Sequence, residues 1–123
     1  MEYSITPDSA GKYIVVKIKG DLRFQDSMQI ITEANDAGAQ LGIQQYLIDV
    51  TEATHSWPLR QDYMFVHEDL KQQTKFNRSA RTAVLTAPED TSHDFILTVA
   101  INAGLNLHVF RDRQEALEFL SNG

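Results

Sequence analysis

The sequence predicts an α/β fold, with a mixed, mostly parallel five-stranded sheet, an antiparallel edge strand and four helices. Short apolar segments rich in β-branched residues alternate with longer segments of helical periodicity, in the order ββαβαβαβα. No helix separates the first two strands, so the first strand is expected to lie antiparallel at an edge. The 123 residues suit one domain, 1–123, and the 42% hydrophobic content is that of an ordinary globular protein.

Two strands and a long helix are predicted to open the chain. Tyr3–Thr6 and residues 12–20, KYIVVKIKG, carry the β-branched and aromatic residues typical of strands, and residues 7–11 between them supply a turn. Apolar residues then recur at three- and four-residue spacing, which predicts a helix over Phe24–Leu41. Gly42 fits the end of that helix.

Strands and helices are predicted to alternate through the rest of the chain. They cover residues 45–50, 56–73, 81–87, 90–103, 106–110 and 112–120 in turn, beginning with a strand. The strands QYLIDV and RTAVLTA are almost continuously apolar, which is typical of strands covered on both faces. Gly104 ends the third helix. Asp112 and Glu115 have capping-box spacing at the start of the fourth helix, and Thr91 and Asp94 offer the same device for the third.

Composition and motifs exclude several classes of function. A net charge of −6 opposes binding to nucleic acid. The absence of cysteine excludes disulfides and thiolate chemistry and is compatible with the cytoplasm. No apolar run approaches the ~20 residues of a membrane span, and the first twelve residues lack the pattern of a signal peptide, so we expect a protein that is not exported. The glycines form no phosphate-binding motif and the histidines no two-ligand helix motif, so we expect neither cofactor nor metal.

Four basic residues gather between the second helix and the following strand. They are Lys71, Lys75, Arg78 and Arg81. Lysines at a helix end favour the negative pole of its dipole, so a solvated helix end is the first interpretation. A patch that binds anions or membrane headgroups is the alternative.

The third strand leads into the segment YLIDVTEATHSWP, the best candidate for a site. Asp49, His55 and Ser56 could supply the orienting group, base and nucleophile of a hydrolase, but adjacent residues such as His55 and Ser56 rarely face each other in a triad. Open α/β sheets bind ligands at the carboxyl ends of their strands. We therefore expect a recognition surface rather than an enzyme, formed by Asp49, Thr51, His55, Ser56 and Trp57.

The second and third helices are more apolar than one face against a sheet requires. In DFILTVAINAG, Leu97 and Ile101 fall outside the stripe that would rest on the sheet, and Tyr63–Val66 likewise wraps around the second helix. A second copy of the chain, neighbouring helices or an apolar ligand must cover this excess. We expect a homodimer through these helices. The alternative is a carrier or sensor of a lipophilic molecule, lined by Trp57, Tyr63, Phe65 and Phe95.

The element order, the strand end Asp49-x-Thr51 and the closing HVFRDRQEALEFL resemble the STAS-like superfamily. Within it, the chain is most similar to the small stand-alone bacterial proteins that resemble stage II sporulation anti-sigma-factor antagonists. The resemblance covers essentially the whole chain. It implies an α/β sandwich, a regulatory role without enzymatic activity, and a protein partner.

The segment before the second helix departs from the pattern of the true antagonists. Those proteins present a phosphorylatable serine in an Asp-Ser-Ser-Gly-like motif, at a helix start that can hold the phosphate. Here Trp57, Pro58 and Leu59 take the place of that motif, and Ser56 lies only nearby. The resemblance therefore does not predict a phosphorylation switch at this position.

Overall fold

The computed structural model describes residues 1–70 and 79–122. Its elements are β1 Glu2–Pro7, β2 Ile14–Leu22, α1 Phe24–Leu41, β3 Gln45–His55, α2 Leu59–Met64, β4 Arg81–Leu85, α3 Asp94–Asn102, β5 Leu107–Phe110 and α4 Arg113–Ser121. A π-helical turn, Phe65–Asp69, continues α2. The described residues thus confirm the predicted element order. No helix among them is both long enough and apolar enough to cross a membrane.

The sheet places its strands in the order in which they occur in the chain, β1-β2-β3-β4-β5. β1 is antiparallel to β2, with Tyr3 opposite Ile18, and every other neighbouring pair is parallel. This arrangement confirms the predicted mixed sheet with an antiparallel edge strand. Its parallel strands bring their carboxyl ends to one edge of the sheet, where β3 ends at His55.

The two faces of the sheet bury separate clusters of apolar side chains. On one face, Ile14 and Val16 of β2 pack with Ile30 and Ala34 of α1, and α2 and α3 extend this layer. The opposite face packs against α4, through a cluster that includes Leu47, Leu85, Ala116 and Leu120. Because successive side chains of a strand point to opposite faces, the near-continuous apolar strands supply both clusters.

The helix ends that depend on local chemistry agree with the prediction. α1 covers Phe24–Leu41, and Gly42 follows it in the left-handed conformation, φ 68°, with its N–H bonded to the carbonyl of Gly38. At α4, an Asp112 side-chain oxygen accepts a hydrogen bond of 2.7 Å from the Gln114 N–H. Such a bond satisfies one of the free N–H groups at a helix start.

The starts of α2 and α3 correct the prediction. α2 begins at Leu59 rather than Ser56, because Pro58 at its N-cap is in an extended conformation. α3 begins at Asp94 rather than Asp90, since the Asp90 side chain accepts a bond from the Ser92 N–H and holds a turn. No side chain caps α3, so the device proposed for Thr91 is not formed. The predicted end of the second helix, near residue 73, lies outside the described residues.

β3 is also longer than predicted, running to His55 instead of Val50. The sequence after Val50 is polar and does not read as a strand. β2 pairs with it nonetheless: after an irregularity between Lys17 and Lys19, the register continues to Leu22 opposite His55. Pairing with β2 therefore carries His55 to the edge of the layer formed by α1, α2 and α3.

Candidate functional site

An apolar cavity of about 210 Å³ lies between the sheet and the helices α1, α2 and α3. Strands and helices both contribute to its wall, through residues that include Val16, Ile30, Val50, Phe65, Val84 and Leu97. A cavity of ~150 Å³ can hold one benzene molecule, and sites for drug-sized ligands begin at about 300 Å³. The cavity is therefore sized for a compact apolar molecule of about ten non-hydrogen atoms.

Short side chains leave this space open. Ala34 of α1 and Ala100 of α3 are buried and line the cavity, where a larger residue would extend into it. Leu97 also faces the cavity. One of the extra apolar side chains predicted for the third helix therefore faces the cavity inside the protein.

A buried polar pair lies beside the cavity at the carboxyl end of β3. His55 Nε2 lies 2.6 Å from Asp62 Oδ1, and both side chains are only 3% exposed. His55 lines the cavity, and its second ring nitrogen, Nδ1, is buried without a hydrogen-bond partner among the described residues. A buried nitrogen of this kind is costly to leave unpaired. It is the unsatisfied polar group of an otherwise apolar site.

A second buried histidine, His93, lies beside the pair. Its Nε2 is 3.1 Å from the carbonyl oxygen of Ala53 and 3.4 Å from an Asp90 carboxylate oxygen, and its ring centroid is 5.8 Å from that of His55. Burial lowers the pKa of His93 below its ordinary value, although the Ala53 carbonyl and the Asp90 charge oppose this shift. Burial therefore favours the neutral form of this side chain.

Trp57 packs over the same end of the cavity. Its indole N–H donates a 2.8 Å hydrogen bond to the carbonyl oxygen of Leu22, which fixes the ring. Ring centroids of Phe24, Phe65 and His55 lie 5.4, 5.3 and 4.4 Å from it. Trp57 is the only tryptophan in the chain, so its fluorescence reports on the cavity directly.

Asp49 and Thr51 lie away from the cavity and bond to each other. The Thr51 N–H and hydroxyl donate to one carboxylate oxygen of Asp49 at 3.0 and 2.7 Å, and Arg113 of α4 donates to the other at 2.7 Å. Burial raises the pKa of Asp49, but the bonds from Arg113 and Thr51 outweigh it and hold that pKa below the ordinary value. This carboxylate therefore joins β3 to α4.

The three groups considered for a hydrolase are not brought together. The Ser56 side chain is exposed, and its hydroxyl lies 3.2 Å from Asp21, to which it donates. The ring of His55 bonds Asp62, and Asp49 bonds Arg113. These contacts leave no hydrogen-bonded chain from Asp49 through His55 to Ser56, and a triad requires one.

The remaining predicted residues divide between the cavity and the outer surface. Trp57, Phe65 and Leu97 line the cavity. Tyr63, Phe95 and Ile101 are 54%, 41% and 44% exposed, and they are not part of the cavity wall. Tyr63 and Phe95 are therefore not placed as the lipophilic-ligand alternative expects, and their exposure suits contact with a partner.

Two residues of the site, Asp62 and His93, were not predicted from the sequence. Asp62 precedes the buried Phe65 and Val66 by three and four positions, so it shares their helical face. His93 stands in the same relation to Ile96 and Leu97. A polar residue on the apolar stripe of a helix indicates a buried partner, and that signal was present in the sequence.

The described residues form no metal site and include only one member of the basic cluster. No three acidic or histidine side chains within residues 1–70 and 79–122 lie close enough to hold a metal ion. Lys71, Lys75 and Arg78 of the basic cluster fall outside the described residues. Arg81, its remaining member, places its guanidinium 3.8 Å from the ring centroid of Phe119.

Comparison with solved structures identifies the fold. The chain matches the anti-sigma factor antagonist SpoIIAA in its unphosphorylated form with a TM-score of 0.62 and 14% identity, over 99% of this chain and 98% of that one. The chain has the SpoIIAA-like fold. An anti-sigma factor antagonist from Mycobacterium paratuberculosis shares the SpoIIAA-like fold at a TM-score of 0.61 and 11% identity, covering 98% and 93% of the two chains.

A third protein with the SpoIIAA-like fold is more similar in sequence. It belongs to the DUF3478 family, comes from Shewanella loihica PV-4, and matches at 24% identity with a TM-score of 0.58, over 97% of this chain and 92% of that one. No family model matches the chain. A search of curated proteins likewise found no match. The α/β fold that the resemblance implies is thus confirmed.

Proposed function

We propose that the protein is a non-enzymatic regulatory domain that binds a compact apolar molecule in the cavity under α1, α2 and α3. The cavity carries this proposal. Its wall is almost entirely apolar, which suits a ligand that gains by leaving water. The proposed role is cytoplasmic, in keeping with a chain that has no cysteine.

The absence of enzymatic activity is proposed from the arrangement of the polar groups. Asp49 is bonded to Arg113 and Thr51, and Ser56 to Asp21, so neither is held for chemistry beside His55. Two proteins that are similar in fold, SpoIIAA and the Mycobacterium paratuberculosis protein, are anti-sigma factor antagonists, which also favours regulation. We extend that kind of role to this chain as part of the proposal.

Binding of propylbenzene tests the proposal, because this probe is apolar and has nine non-hydrogen atoms. We expect a saturable change in Trp57 fluorescence and a rise in melting temperature with probe concentration, since a ligand bound only by the folded state stabilises it. A fluorescence signal that rises without saturation, with no thermal shift, would contradict the proposal.

A cavity-filling variant makes this test specific. Ala100→Leu adds side-chain volume to the cavity wall and should abolish propylbenzene binding. Thr98→Leu, at an exposed position on the same helix, adds an apolar side chain outside the cavity and should leave binding unchanged. Circular dichroism of both variants checks that they fold. Equal binding by Ala100→Leu and wild type would place the probe elsewhere.

We also propose that α2 and α3 form the contact surface of a homodimer. Leu59 and Tyr63 of α2 are 61% and 54% exposed, and Phe95 and Ile101 of α3 are 41% and 44% exposed. α2 and α3 contact each other, so these side chains belong to adjoining helices. Exposed apolar residues on adjoining elements are typical of interaction surfaces.

A further inference from the structure

The His55–Asp62 pair limits the chemistry of a ligand for this cavity. Two of the other polar side chains at the cavity have partners: the Ser27 hydroxyl donates to the carbonyl of Arg23, and His93 contacts Ala53. His55 uses Nε2 for Asp62, and Nδ1 is buried without a described partner. A ligand that also satisfied Nδ1 would bind more tightly than one that only filled the apolar space.

We propose that the cavity takes a compact apolar molecule carrying one uncharged hydroxyl group, and that this hydroxyl hydrogen-bonds Nδ1 of His55. The inference rests on the proposed function and specifies its ligand class. When Nε2 carries the proton shared with Asp62, the neutral ring offers a lone pair at Nδ1. A hydroxyl donates to that lone pair, and the remainder of the molecule contacts the apolar wall.

A carboxylate head group fits this position less well. The wall around it is apolar, and transferring an ionised carboxylate from water into such a site is costly unless a free cation receives it. The nearest cationic candidate, His55, is already bonded to the Asp62 carboxylate, whose own charge would repel a second one. A neutral hydroxyl avoids both costs.

The wall has two further polar residues, Thr82 and Asn106, at the opposite ends of their strands. Thr82 is the second residue of β4 and Asn106 precedes β5, whereas His55 ends β3. Neither is fully buried, so both can exchange hydrogen bonds with water. Nδ1 of His55 is buried and does not reach water, so we assign the ligand hydroxyl to this nitrogen.

A pair of nearly isosteric probes tests the inference. 2-Phenylethanol and propylbenzene each have nine non-hydrogen atoms and differ by a hydroxyl in place of a methyl group. Affinities of wild type for both are measured by calorimetry and by Trp57 fluorescence, and the quantity compared between proteins is their ratio. Comparing this ratio between two proteins cancels the different cost of removing the two probes from water, because that cost is the same for both proteins.

Two variants isolate the role of Nδ1. His55→Phe with Asp62→Leu keeps an aromatic ring without Nδ1, and His55→Leu with Asp62→Leu removes the ring as well; neither leaves a buried charge unpaired. In both, we expect the affinity ratio to shift about tenfold toward propylbenzene, the effect of one buried hydrogen bond. His108→Gln, at an exposed histidine outside the cavity wall, serves as the control and should leave the ratio near that of wild type.

The outcomes separate this inference from the proposed function. If both probes bind wild type and the ratio is the same in His55→Phe with Asp62→Leu, the hydroxyl is held elsewhere and the inference is overturned while the apolar cavity function stands. Tighter binding of phenylacetate than of 2-phenylethanol would also overturn it, by assigning a charged head group. If neither neutral probe binds wild type, the proposed function fails and the inference fails with it.

Discussion

Gly38 shows how a single residue sets the packing of α1 on the sheet. It is buried on α1, and a Cβ atom added there would overlap the Tyr46 hydroxyl and lie 2.8 Å from the carbonyl oxygen of Ile43. The helix therefore approaches the start of β3 more closely than any other residue would permit. The sequence marks Gly42 as the helix end, but nothing in its local pattern distinguishes Gly38.

Replacing Gly38 with alanine should destabilise the protein despite the higher helix propensity of alanine. We expect a loss of about 1–3 kcal/mol in the free energy of unfolding, the usual range for overpacking, measured by urea denaturation. Gly38→Ala with Tyr46→Phe should recover part of the loss, because one of the two clashes is removed. An alanine variant as stable as wild type would show that α1 can shift at little cost.

The other residue-scale prediction concerns the pH dependence from His93. Because burial lowers the pKa of this side chain in the folded state, the unfolded chain binds the proton more readily. The stabilising contribution is complete above the ordinary histidine pKa of about 6.5 and is lost as the pH falls toward the folded value. Its slope cannot exceed about 1.4 kcal/mol per pH unit.

Thermal unfolding between pH 7.5 and pH 5 checks this effect. His93 is influenced by Asp90, Asp94 and His55, so the comparison must be with a variant that leaves those residues in place. His93→Gln should unfold with a shallower dependence on pH than wild type. Parallel curves for the two proteins would assign the acid sensitivity to other groups.

At the scale of elements, the bond between Arg113 and Asp49 joins α4 to β3. Asp49 is 2% exposed, whereas the Arg113 side chain is 53% exposed, so solvent weakens the attraction without removing it. Asp112 caps the same helix from the preceding position. The start of α4 is therefore fixed both by its own first turn and by a strand sixty-four positions earlier in the chain.

Arg113→Met should destabilise the protein by about 1–2 kcal/mol, because it leaves a buried carboxylate with only Thr51 as partner. Urea denaturation at pH 7 measures this loss. Gln114→Ala, at the next position of α4, which is exposed, is the matched control. It should lower the free energy of unfolding by less than Arg113→Met does. If the two groups interact, the double variant Asp49→Asn with Arg113→Met should lose less free energy of unfolding than the sum of the losses in the two single variants.

Elements were predictable where local chemistry determines them. α1 has a complete apolar stripe and a glycine end, and α4 has an aspartate cap, so their positions could be read from neighbouring residues. The second half of β3 could not, because residues after Val50 form a strand only through pairing with β2. The start of α3 was misplaced because Asp90 holds a turn that resembles a helix start in sequence.

At the scale of the whole molecule, the sequence predicted the fold, and it offered a lipophilic site only as the alternative to a homodimer. Of the residues named for these two interpretations, Trp57, Phe65 and Leu97 line the cavity. Its wall also includes Ala34 of α1 and Ala100 of α3, which come from elements far apart in the chain. The pairing of His55 with Asp62 likewise depends on the tertiary arrangement, which no local pattern specifies.

The exposed apolar side chains of α2 and α3 lead to a prediction about assembly. We expect light scattering to give about twice the 13.9 kDa chain mass at high concentration. Tyr63→Lys with Ile101→Lys should return the protein to monomer, because desolvating two charges opposes association. Gln40→Lys, at an exposed position of α1, should leave the assembly unchanged. A wild-type mass of one chain at all concentrations would exclude the homodimer.

The packing of α4 on the face opposite the other helices has a consequence for biosynthesis. The sheet grows in chain order, so β1 to β4 and the layer of α1 to α3 can assemble while the ribosome is still adding residues. Leu47 and Leu85, on the other face, become buried only when they pack against Ala116 and Leu120 of α4. Until that segment emerges from the ribosome, the nascent chain exposes an apolar surface to which chaperones can bind.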